Sequence, residues 1–146
     1  MDMLRLLLTP VVYVVAHVAF SVAAIMTATM MQAALTFSRP WASDSEAFTN
    51  AALINGAMMA AVGAGAVTLT TMVVPPKWAK TVGLFWGGAY VLQAAATMGF
   101  GSSEWDGLMW EMSTMVGAVS GASFGVASAS TRTRAGAAAS EDGEGD

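Results

Sequence analysis

Between Arg5 and Arg39 the chain runs through 33 residues without a charge. A helix needs about 20 apolar residues to cross roughly 30 Å of hydrocarbon, so this stretch exceeds one full span. Further charge-free runs follow at Ala47 to Pro76, Thr81 to Ser103 and Met112 to Thr131. Each is long enough to cross. The rest of the chain agrees: 55% of its 146 residues are hydrophobic and only 11% are charged, against about 25% charged in ordinary soluble domains. The expected class is all-α, a polytopic membrane protein with four transmembrane helices in an antiparallel bundle.

Other classes fit worse. Val11 to Phe37 is far longer than the apolar region of a secretory signal, about 7 to 15 residues, so the first run reads as an uncleaved anchor. Strands of a membrane barrel would show segments of about ten residues with alternating polarity, and none is present. The absence of cysteine excludes disulfides, thiolate nucleophiles and Cys-based zinc sites. One histidine and a few scattered acids assemble no Ser/His/acid set, carboxylate pair, phosphate loop or HExxH motif. The expectation is a protein that is not an enzyme and carries no cofactor, with no small-molecule substrate identified.

The punctuation of the chain divides it further. Residues 1–9 form an inner N-terminus, and the first span covers 10–37, with Thr9 as N-cap and Pro10 as its first helical residue. An outer loop at 38–49 contains the start of the next helix, because "SDSE" sets Ser43 three residues before Glu46, the spacing of a capping box. The second span, 50–74, stops at Pro75 and Pro76; an inner turn fills 75–80 and a third span 81–100. An outer turn at 101–107 offers Ser103 as N-cap, with Glu104 and Asp106 at the positive end of the fourth span, 108–131. Residues 132–146 read as a disordered acidic tail. Arg5, Lys77, Lys80, Arg132 and Arg134 then share one side while Arg39 stands alone on the other, which places both termini on the cytoplasmic or interior side. Trp41, Trp105 and Trp110 gather at the outer boundary, and Tyr13 and Trp78 at the inner one. Scarce lysine and the acidic end suit a salt-loving host.

Small residues recur at fourfold spacing. Gly117, Gly121 and Gly125 form one stripe on the fourth helix, Ala52, Gly56, Ala60 and Ala64 another on the second, and Gly83 and Gly87 a third. Lipid supplies no hydrophobic drive between helices, so close backbone approach at such stripes is the expected packing device. Either all stripes pack inside one bundle, or one faces outward and joins the chain to further copies or other membrane proteins.

Polar groups at membrane depth are functional candidates by default. They are His17, Gln32, Asn55, Gln93 and Glu111. His17 reads either as a structural hydrogen-bonding group or as the ligand of a cofactor-binding subunit, and Glu111 as a proton or cation site. Methionine is frequent, 12 in all, and "MWEMSTM" sets Met109, Met112 and Met115 at steps of three. Thioethers bind Cu(I) or Ag(I), so these three form a candidate metal entry site; they equally suit flexible filling of irregular gaps, or an adaptable partner surface.

In size, span number, short exposed loops and inward polar tail, the chain resembles the small multi-span internal membrane protein of the pleomorphic enveloped viruses of haloarchaea, the pleolipoviruses. That resemblance implies a structural protein lining the virion membrane. Its partners would be the lipid bilayer and other membrane proteins, with no direct contact to nucleic acid, since the acidic tail repels phosphates.

Overall fold

The structure, a computed structural model, describes residues 2–39, 43–98 and 105–142. They form four helices in chain order: α1 (Asp2–Ser38), α2 (Asp44–Met72), α3 (Pro76–Ala96) and α4 (Trp105–Asp142). Two of them, α1 and α2, are long and apolar enough to cross a membrane, with mean hydropathies of 2.1 and 1.6.

Several boundaries differ from the expected ones for local reasons. Pro10 does not open α1; it lies inside a helix that starts at Asp2. A proline there removes the N–H that would bond the Leu6 carbonyl. Thr9 is therefore not an N-cap: its hydroxyl donates to that same carbonyl at 2.9 Å and replaces the lost bond. Ser43 does cap α2, accepting from the Glu46 N–H at 3.3 Å. Glu46 turns its carboxylate to Arg39, 2.8 Å away across the connection, instead of back to Ser43. Residues 75–80 are not a turn, because Pro76 occupies the first helical position of α3, where its missing N–H costs nothing. At their far ends α2 and α3 stop at Met72 and Ala96, short of the expected 74 and 100. Trp105 already belongs to α4. Trp41, Ser103 and Glu104 lie outside the described residues.

The largest correction concerns the tail. Residues 132–142 are helical and continue α4, while 143–146 lie outside the described residues. Two hydrogen bonds hold the extension down: Arg132 Nη1 donates to Thr71 O at 2.6 Å, and the Thr133 hydroxyl to Pro76 O at 2.8 Å. Thr71 O is among the last four carbonyls of α2, which have no partner within their own helix. Arg132 thus caps α2 and sets a positive charge at the negative end of its dipole.

Sequence neighbours run antiparallel, so α1 ends, and α2 and α4 begin, at what we call the upper end. The most extensive contact joins α2 to α4, which are parallel, followed by α3 with α4 and α1 with α2. An antiparallel bundle therefore describes only consecutive helices. The core threads all four through Tyr13 and Ala16 on α1, Val62 and Ala66 on α2, Tyr90 on α3 and Ala118 on α4.

Candidate functional site

The three stripes meet one another. A Cβ placed on Gly117 would press on the Gly56 carbonyl oxygen and lie 3.0 Å from the Gly56 Cα; one on Gly121 would meet Ala60 in the same way, 3.0 Å from its Cα. A Cβ on Gly125 would lie 2.6 Å from the Val67 Cβ. Gly83 faces Ala129 and Gly87 faces Val126, with added carbons at 3.1 and 3.3 Å, while Ala52 is buried and Ala60 and Ala64 are half-buried. The glycines of all three stripes thus face neighbouring helices of the same chain. Two glycines outside the fourfold pattern receive rings: Tyr90 lies over Gly63, and Phe20 over Gly65, where an added Cβ would meet the ring at 2.6 Å.

The polar residues fall into two adjoining clefts. In the first, of about 260 Å³, His17 meets Tyr90, Gln93, Ser21, Met59 and Thr97. His17 Nε2 lies 3.5 Å from Gln93 Nε2, its ring stacks on Tyr13 at 5.8 Å, and it meets Tyr90 edge-on at 5.7 Å. Tyr90 is held by its hydroxyl, which donates to Met59 O at 2.6 Å. Tyr13 turns into the bundle: it is 6% exposed and stacks on Trp86 at 4.3 Å. Its hydroxyl, His17 Nδ1 and Thr68 Oγ1 are buried without a hydrogen-bond partner among the described residues.

The second cleft, about 620 Å³, opens at the upper end and shares Met59 and Thr97 with the first. Glu111, Trp110 and Thr114 reach it from α4, and Phe48 and Asn55 from α2. Asn55 Nδ2 donates to Thr114 Oγ1 at 2.7 Å, and Thr114 donates in turn to Trp110 O at 2.8 Å. Glu111 forms no ion pair among the described residues. Phe48 and Trp110 set their rings 6.4 Å apart at 48°.

The remaining candidates separate. Gln32 lines a different groove of about 180 Å³ beside Arg39. Met112 is 57% exposed, Met109 and Met115 are half-buried, and none of the three lines either polar cleft. Among the described residues no group of three His, Asp or Glu could hold a metal ion. Sequence reasoning missed Tyr90, Thr114 and the Phe48 and Trp110 pair. For Tyr90 a signal existed, since a phenol in a charge-free run must find an acceptor.

No family model, curated protein or solved structure matches the chain.

Proposed function

We propose that the chain is a non-enzymatic structural component of a membrane that crosses it four times with both termini inside. The supporting observation is α1. Within its apolar stretch Met3–Ser38 only 17% of an 18-residue window is buried, and Leu7, Val14, Val18, Val22 and Ile25 are each more than half exposed. Leaving each such side chain half in water costs roughly 1 kcal/mol, about half the value for full exposure, and hydrocarbon removes that cost. The depth of α4 then follows from its packing. It lies along α2 from Gly56 to Val67, so if α2 spans, α4 shares its depth, and α3 must return between them.

With the glycines engaged inside the chain, assembly with further copies or other membrane proteins falls to the outer faces, α1 above all. The layout shared with the pleolipovirus proteins favours a virion membrane as the setting.

The absence of cysteine makes the topology directly testable. Single cysteines at Ser45 and Ser103 should react with a membrane-impermeant maleimide from outside. At Lys77 and Ser140 they should react only after permeabilisation, and labelling of Ser103 from inside would refute the third and fourth spans. Native mass spectrometry of protein extracted with its own lipids tests the role. A complex with further copies or other membrane proteins supports it; a solitary chain carrying a stoichiometric cofactor overturns it.

A further inference from the structure

We infer that the upper cleft between α2, α3 and α4 binds an organic ammonium ion, with Glu111 as its counter-charge and Phe48 and Trp110 as its aromatic walls. The cleft is about 620 Å³, large enough for a cation carrying an aromatic or short alkyl group. Three features of its lining select that chemistry. Glu111 supplies one carboxylate without an ion-pair partner among the described residues. Phe48 and Trp110, with centroids 6.4 Å apart, offer ring faces to a weakly hydrated cation. Met59 and Met98 add polarisable thioethers, which favour an organic group over a hard metal ion.

The hydrogen bonds of the wall leave an acceptor to spare. Asn55 donates an N–H to Thr114, so its carbonyl oxygen remains to set a partial negative charge against the cation. Charge around the mouth points the same way. Asp44 and Glu46 stand in the first turn of α2, and Arg39, a basic side chain beside them, is paired to Glu46. Such a surface concentrates cations at the entrance. The ammonium group can belong to a free amphiphilic cation or to the choline headgroup of a lipid.

The test is calorimetric titration of the intact protein in non-ionic maltoside micelles with benzyltrimethylammonium, and in parallel with its uncharged isostere neopentylbenzene. The cation should bind and the isostere should not. Glu111→Gln, nearly isosteric, should weaken binding by about ten- to a hundredfold, the loss expected for one charge-assisted contact, with an unchanged thermal melt showing that the fold is intact. Trp110→Leu should weaken it severalfold. Displacement by short-chain phosphatidylcholine, and not by phosphatidylglycerol, would assign the site to a lipid headgroup; the absence of displacement would assign it to a free cation. Equal binding of the isostere, displacement by millimolar sodium, undiminished affinity in Glu111→Gln, or no binding at all would overturn the proposal.

Discussion

Replacing Gly121 with alanine adds one methyl group where α4 lies closest to α2. The new carbon would press on the Ala60 carbonyl oxygen and sit 3.0 Å from both the carbonyl carbon and the Cα of Ala60. Ordinary contacts of this kind lie about 0.5 to 1 Å further out, and backbone cannot turn aside as a side chain can. The helices must therefore separate by about that distance, which forfeits a quarter to a half of the dispersion attraction along the seam. Overpacking of this sort costs about 1 to 3 kcal/mol, offset by up to about 1 kcal/mol from the better helix propensity of alanine. Gly88→Ala provides the reference, because nothing lies within 4 Å of a Cβ added there, so it gains the propensity without the clash. The two variants should differ in unfolding free energy by about 1 to 3 kcal/mol, measured by circular dichroism as denaturing detergent is titrated into non-ionic micelles. Agreement of the two within about 0.5 kcal/mol would refute the assignment of Gly121 to packing inside the chain. A shift in subunit number with an unchanged unfolding midpoint would move it to an interface between chains.

Other bonds between helices carry their own expectations. Asn55→Ala and Thr114→Val remove the two partners of a 2.7 Å bond between α2 and α4. A double-mutant cycle should return a coupling of about 0.6 kcal/mol and no more than about 1.7, the range that bonds between membrane helices show; zero coupling would mean that the bond contributes nothing. Arg132→Gln should cost about 1 to 2 kcal/mol and speed hydrogen exchange at Arg132's end of α2, since it removes the charged group that donates to Thr71 O at 2.6 Å. Unchanged exchange there would show that α4 does not dock on the α2–α3 connection.

The helices were readable from long charge-free runs without alternating polarity, because within such a run only a helix satisfies its backbone groups inside the segment itself. Their ends were not. Pro10 reads as a helix start by every local rule, and only the Thr9 hydroxyl bonded to Leu6 O explains why the helix runs through it. The last residues of α4 read as disordered because they have little apolar surface of their own; what orders them is a backbone carbonyl 61 positions away. Fourfold spacing correctly marked Gly117 and Gly121 as contact points, but spacing cannot say which helix a stripe meets. Gly63 and Gly65 escaped because their partners are single rings, Tyr90 and Phe20, and a single ring imposes no repeat. Of the polar candidates, Asn55 and Glu111 share a cleft, as do His17 and Gln93, for they stand on helices whose pairing no single run reveals.

The same repeat that closes the lower part of the α2–α4 seam opens its upper end. Followed upward on α4, the stripe reads Gly125, Gly121, Gly117, Ser113, Met109; on α2 it reads Ala64, Ala60, Gly56, Ala52, Phe48. Both stripes are small through their lower positions and end upward on a large side chain, Met109 on α4 and Phe48 on α2, and because the helices are parallel these large ends share one level. The tightest approach lies at Gly117 and Gly121, and the Asn55–Thr114 bond marks the level at which side chains begin to bridge the gap. Above it the Phe48 and Trp110 rings lie 6.4 Å apart, and Glu111 lines the same cleft. A carboxylate at this level needs water or a cation, and the cleft admits either without disturbing the interlocked glycines below. Packing and binding are therefore divided along one seam, with glycine holding the chain together and the loss of glycine making room for a ligand.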